Sequence, residues 1–358
     1  MPRLATGTAT FPDSLVILPR RACQVTTLSL FAFISDLCPN RQVAGGGVGG
    51  RAGNRGPQEN IAVAAEVALA VAAKAAGENF PVALRALPRR YRANLTALYG
   101  FARLTDDLGD EPLPGMPADA DAETITRTRL RLLDDLQADV QRIYDDSGHG
   151  DAGEPQLDAI KALKKTVREC GVPAQPLYDL IEANRQDQLV KRYETYTELA
   201  DYCKLSANPV GRVVLYIVNS ATADRLARSD SICTALQVIE HSQDVAEDYA
   251  NGRIYLPAED MRAFGVTEAD LARPTAGQAV RELVKFEVDR AAAGLDAGSP
   301  LIGTLRGPAR LAIAGYVAGG RAAVKAIRDS GYDVLRSTPK PGKAATIAMR
   351  AGCYVKGR

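Results

Sequence analysis

Apolar residues recur with a helical period along most of the chain after residue 60, and strand-like alternation is nearly absent. Thr124 to Tyr144 is the clearest stretch, with Ile125, Leu132, Leu133, Leu136, Val140 and Ile143 in helical register. The same reading predicts an alanine-rich helix from Asn60 to about Ala76. Further helices are predicted over Leu95–Leu108, Leu157–Cys170, Pro176–Tyr193, Thr197–Val218, Arg228–Asn251, Thr275–Ala297 and Pro308–Gly331. A turn around Leu87-Pro88-Arg89-Arg90 and two loops rich in Pro, Gly and Asp, Glu111–Asp121 and Asp145–Pro155, separate the early helices. Pro209 removes a backbone donor, so Asn208-Pro209 predicts a break or kink after Ser206. There is no internal repeat and no domain linker after residue 60. The expected architecture is all-α, a single-domain helical bundle around a central cavity over residues 60–337. Residues 1–59 read as an N-terminal extension and residues 338–358 as a basic C-terminal tail.

Two acidic clusters interrupt this pattern. One is Asp106-Asp107-Leu108-Gly109-Asp110; the other is Gln243-Asp244-Val245-Ala246-Glu247-Asp248. Residues four apart share a helix face, so Asp106 stands with Asp110 and Asp244 with Asp248. Tyr99, Arg103, Asp106 and Asp110 form one stripe; Glu240, Asp244 and Asp248 form another. Like charges at that spacing destabilise an isolated helix. Two readings are open: each stripe is a solvated face, or each holds a cation. Neighbours such as Leu98, Phe101, Val238, Ile239 and Val245 look interior, and acid in an apolar segment needs a partner or a metal.

The composition, 46% hydrophobic and 24% charged over 358 residues with a formal net charge of +1, suits a globular protein and gives no support for nucleic-acid binding. Six cysteines are scattered with no CxxC, which points to reduced thiols rather than a disulfide framework or zinc site. Of the two histidines, His149 lies in a Ser/Gly loop and His241 reads as a core or rim residue, so a His-centred triad is not expected. No stretch approaches the roughly 20 apolar residues of a membrane span. Residues 1–56 carry arginines and a glycine-rich run. A targeting peptide, a disordered tail and translated sequence upstream of the true start are the alternatives, the last two being favoured.

From residue 78 onward these pieces fall into an order: Glu78-Asn79-Phe80-Pro81-Val82-Ala83, then Leu98 to Asp107, then Tyr202-Cys203-Lys204-Leu205-Ser206-Ala207-Asn208-Pro209-Val210-Gly211, then Gln237 to Asp248, then Asn251-Gly252-Arg253-Ile254-Tyr255-Leu256-Pro257. This order and spacing, over roughly residues 75–335, resembles the squalene/phytoene synthase family. The forms of the first, middle and second acidic motifs look most like its hydroxysqualene synthase branch. The resemblance implies an isoprenoid-synthase-type bundle in which presqualene diphosphate is ionised, diphosphate leaves, and water captures the cation to give hydroxysqualene for squalene and hopanoid biosynthesis.

It also implies Mg²⁺ held by Asp106, Asp110, Asp244 and Asp248, because hard oxygen ligands and phosphate suit that ion. Asp107, about 100° round the helix from Asp106, and Glu247 would support the ligands from behind. Arg103 and Arg253 are the candidate diphosphate-binding residues, with structural salt bridges as the alternative. Tyr202 matches the family's catalytic tyrosine; Glu240 is a water-positioning base, an extra ligand or structural. Phe80, Tyr99 and Asn208 are candidate cavity walls, with ordinary core packing as the alternative for the aromatics. Glu240, Gln243 and Glu78-Asn79 replace less acidic or more basic residues of members that condense two prenyl diphosphates. Fewer positive charges fit a site for one diphosphate, so a prenyl condensing enzyme is the second reading. A non-catalytic assembly-factor relative is a third, opposed by the intact acidic clusters. A prenyl diphosphate with a long tail partitions into lipid. The expected location is therefore cytoplasmic, with peripheral contact at the inner membrane face and pathway enzymes as possible partners.

Overall fold

The structure is a computed structural model that describes residues 62–68, 87–117, 119–145 and 153–358. Residues 62–68 are helical. The expected extension over residues 1–59 and the candidate wall residue Phe80 lie outside the described residues.

The regular structure of the described residues is helical, with no strand beyond a single parallel bridge between Arg192 and Ile254. Helix α1 runs Arg89–Asp110, α2 Ala122–Gln141, α3 Asp158–Cys170, α4 Gln175–Leu189, α5 Tyr196–Ser206 and α6 Asn208–Ile217. Helix α7 runs Ala223–Gln243, α8 Val245–Ala250, α9 Ala258–Ala263, α10 Glu268–Leu271, α11 Gln278–Gly298, α12 Leu301–Thr304, α13 Gly307–Asp329 and α14 Lys343–Lys356.

Local chemistry fixes several starts. Asp121 caps α2 by accepting from the Thr124 amide at 2.7 Å, and Thr195 caps α5 by accepting from Glu198 at 3.2 Å. As expected from Asn208-Pro209, α5 stops at Ser206 and a new helix begins, with Pro209 in its first turn. The run expected as one helix over Arg228–Asn251 is instead two, parted at Asp244, whose φ and ψ are −101° and 15°. The segment expected as a basic tail over 338–358 carries helix α14, packed along α13.

One hydrophobic core joins the helices. α7 packs on α11 and α6; α1 packs on α3, α4 and α2; α4 lies against α5. Helices α1 and α4 approach closely at Gly109, where Asn184 and Gln188 of α4 lie against it. A Cβ there would stand 2.5 Å from Asn184 Oδ1, so no larger residue fits without moving that amide. This close approach lets side chains of α4 reach the first acidic cluster.

Candidate active site

α1 carries the first cluster inward. Asp106 is fully buried and accepts one hydrogen bond, from Asn184 Nδ2 of α4 at 3.2 Å; its Oδ2 has no partner. Burial, helped by Asp110 and Asp107, pushes its carboxyl well above the usual range. Asp107 turns away and pairs with Arg103 Nε at 2.7 Å, and Arg103 also comes within 3.6 Å of Glu111. These contacts are the structural salt bridges expected as the alternative for Arg103. Tyr99, one turn earlier, is buried in the core. Asp110, at the end of α1, receives Arg253 Nη2 at 2.9 Å.

The second cluster sits across the α7–α8 break. Asp244 is nearly buried. Burial and Glu247 raise it to about 6, against a hydrogen bond from Thr338 and the charge of Lys340. Asp248 keeps the helical spacing, its amide bonding the Asp244 carbonyl at 2.8 Å. It is 2% exposed, and neither carboxylate oxygen has a hydrogen-bond partner. Burial and Asp244 push it far up. Glu240, half-buried on α7, is raised by burial, Asp244 and Asp248. Gln243 turns its amide to the Pro339 carbonyl.

The loop after α8 joins the clusters. Gly252 takes a left-handed φ of 75°, a turn that suits glycine. The Arg253 amide bonds the Asp248 carbonyl at 2.8 Å, and Ile254 bonds the Lys191 carbonyl at 3.0 Å. Arg192 Nη1 donates to the Gly252 carbonyl at 2.8 Å. So held, Arg253 reaches Asp110 directly and acts on Asp248 and Asp187 through space. Its own burial lowers its pKa, but Tyr255, Asp110, Asp187 and Tyr202 outweigh that and raise it, so it stays charged.

Sequence reasoning missed the polar face that α4 adds. Asn184, Asp187 and Gln188 recur at i, i+3 and i+4 on α4, with Lys191 two residues past its end; the spacing is visible in the chain but indistinguishable there from a solvated face. Gln188 Nε2 donates to the Gly109 carbonyl at 3.0 Å. Asp187 is buried, accepts the Tyr202 hydroxyl at 3.0 Å, and is raised by burial to about 7. Lys191 donates to the Asp187 carbonyl, and burial beside Arg253 lowers its pKa.

Tyr202 lies in an aromatic group with Tyr193, Tyr255 and His241, ring centroids 5.4 to 6.3 Å from it. His241 stacks on Tyr255 at 3.7 Å. Burial and Arg253 push it to about 3, so it is neutral, a core residue as expected. Asn208 is buried and accepts from Thr234 Oγ1 at 3.0 Å. The cysteines of the described residues are free, and burial raises Cys203 and Cys233 to about 12, leaving them inert.

The raised carboxyl of Asp187 gives a pH prediction. An unfolded Asp titrates near 3.9. The stabilisation from Asp187 is therefore complete below about 4 and lost as pH rises through its folded value near 7. Asp187→Asn keeps an oxygen for Tyr202 and removes the titration. In chelator, the variant's melting temperature relative to the parent should be higher at pH 8 than at pH 5, by roughly 5 °C. A difference independent of pH would contradict this.

Among the described residues no group of three or more His, Cys, Asp and Glu side chains could hold a metal ion. The carboxylates come as pairs on separate helices, and the orphaned oxygens of Asp106 and Asp248 are what a cation with further ligands of its own would satisfy.

A sequence model of the squalene/phytoene synthase family matches residues 73–345. A hydroxysqualene synthase of Zymomonas mobilis is 35% identical over 212 residues, 58% of this chain and 64% of that protein, so the chain spans less than two thirds of that relative. One from Rhodopseudomonas palustris is 33% identical over 64% of this chain and 72% of its own. A phytoene synthase of Arthrospira platensis is 30% identical over 60% of this chain and 68% of its own. The crystal structure of squalene synthase HpnC from Alicyclobacillus acidocaldarius superposes with a TM-score of 0.62 at 37% identity, covering 77% of this chain and 95% of that one. A dehydrosqualene synthase, at 22% identity, shares the isoprenoid synthase helical fold with a TM-score of 0.65. The family match extends over well more than half of the sequence, and the protein belongs to the squalene/phytoene synthase family.

Proposed function

We propose that the protein is a Mg²⁺-dependent enzyme that converts presqualene diphosphate to hydroxysqualene and diphosphate. The observation that carries this reading is the pair of buried carboxylates with unpartnered oxygens, Asp106 at Oδ2 and Asp248 at both, on two helices joined through Arg253. Asp106, Asp110, Asp244 and Asp248 would hold the ion. Bound there, it would neutralise charge developing on the leaving diphosphate. Likeness to two hydroxysqualene synthases supports the substrate, and so does Gln243, a neutral side chain turned onto the Pro339 carbonyl beside Asp244.

This chain's own residues supply the rest. Arg253, permanently charged and set on Asp110, faces the diphosphate. The carbon–oxygen bond of the substrate breaks and the electron pair leaves with diphosphate. The faces of Tyr202, Tyr193 and Tyr255 favour positive charge beside them. Tyr202 gives its hydroxyl hydrogen to Asp187, which leaves its oxygen lone pairs to accept from water. As that water bonds to the cation, its proton passes to Tyr202 while the Tyr202 proton passes to Asp187, poised near 7. Glu240 is the alternative water-positioning group. Arg103 and Asp107 hold α1 in place.

Purified protein incubated with Mg²⁺ and no reductant should turn presqualene diphosphate into the alcohol, identified by mass spectrometry. Chelator should abolish the reaction. Efficient condensation of farnesyl diphosphate, or squalene formed only with NADPH, would replace this reading with head-to-head prenyl transfer or reductive closure on the same fold.

A further inference from the structure

Helix α14 is apolar on the side that faces water. Ile347, Ala348, Ala351, Tyr354 and Val355 fall at i, i+1, i+4, i+7 and i+8, one stripe, and all are exposed. Ile347 is 59% and Val355 78% exposed, two of the few large hydrophobic side chains left in solvent. The opposite side is already used. Cys353 is buried against Arg321, and Met349 packs on the core. The helix end is anchored by Arg310, which donates to the Tyr354 carbonyl and lies over its ring, and by the contact of Gly357 with Gly303. The outward stripe therefore is not a helix waiting to turn inward.

The charge along this segment of the chain has one sign, although Asp296 reaches the helix end through Arg321. Asp333 is the last acidic residue; Arg336, Lys340, Lys343, Arg350, Lys356 and Arg358 follow. Arg336, Lys340, Lys356 and Arg358 are exposed. An apolar stripe flanked along the chain by cations complements an anionic lipid surface, where the stripe enters the acyl boundary and the cations meet headgroups. No helix among the described residues is long and apolar enough to cross a membrane, so such contact is in the interface plane.

We infer that α14 docks the protein on an anionic lipid bilayer. Its use follows from the isoprenoid substrate proposed above; the surface itself is argued from the helix. The segment that leads into α14 also touches the second acidic cluster, Thr338 bonding Asp244 and Pro339 accepting from Gln243. Docking would place that cluster beside the phase in which a long isoprenoid chain dissolves.

The test is flotation of the full chain with phosphatidylcholine vesicles, with and without phosphatidylglycerol. Binding should need phosphatidylglycerol and weaken in high salt. Ile347→Glu with Val355→Glu should lower partitioning at least about 10-fold, and Lys356→Gln with Arg358→Gln by roughly 10-fold. Both double variants should keep the melting temperature and the turnover of detergent-dispersed presqualene diphosphate. No vesicle binding, or equal binding to neutral vesicles, overturns the inference while leaving the enzymatic reading intact. Self-association that Val355→Glu dissolves would assign the stripe to a second copy of the chain and also overturn it. Vesicle binding by a protein that turns over no prenyl diphosphate would keep the surface and remove the proposed function.

Discussion

Asp248→Asn should lower kcat on the order of 10²–10³-fold and leave the metal-free fold intact. Neither oxygen of this buried carboxylate has a hydrogen-bond partner, so the folded protein gains little from its charge. Burial and Asp244 push its carboxyl up, disfavouring the charge, so a neutral amide costs the metal-free fold little. Thermal unfolding in chelator should then be unchanged or slightly raised. Mg²⁺ with inorganic diphosphate should stabilise the parent by ligand linkage and the variant much less. A variant that unfolds several degrees lower in chelator, yet keeps its turnover, would make Asp248 a structural residue.

Arg253→Gln should have the largest effect on stability. Arg253 is the cation shared by Asp110 at 2.9 Å and, through space, by Asp187 and Asp248. Removing it leaves buried carboxylates without compensation, at a cost of about 3–5 kcal/mol. Because the damage is electrostatic, it should shrink at pH 5, where the raised carboxyls take protons, and be full at pH 8. Arg253→Lys should restore part of the stability but little activity, since an ammonium lacks the planar fork. Urea unfolding at the two pH values decides the matter. Equal loss at both would mean that packing, not charge, was removed.

How much of this was legible in the chain depends on distance along it. The Asp106–Asp110 stripe is written in four-residue spacing within an unbroken helix, and its burial followed from apolar neighbours. The stop after Ser206 was legible because proline marks it. The break at Asp244 was not, because no glycine or proline stands there. The pairing of Arg253 with Asp110 joins residues 143 positions apart, which no local period encodes. The α4 stripe of Asn184, Asp187 and Gln188 was in plain view, but its burial depends on how closely α1 approaches at Gly109. Helix α14 is hard to see in the chain because its outward stripe has no core to explain it, and the basic residues around Pro339 and Pro341 resemble a linker.

The interruption at Asp244 makes the two acidic pairs mechanically unlike. Asp106 and Asp110 ride on one continuous helix, so their separation is set by its pitch. Asp244 is itself the joint between α7 and α8 and is bonded to Asp248 one turn on, so rotation there would swing Asp248 and α8 against α7. One pair is a fixed jaw and the other an adjustable one. Differences in ligand size are then absorbed on one side of the site, with α1 and the α4 side chains that clasp it left undisturbed.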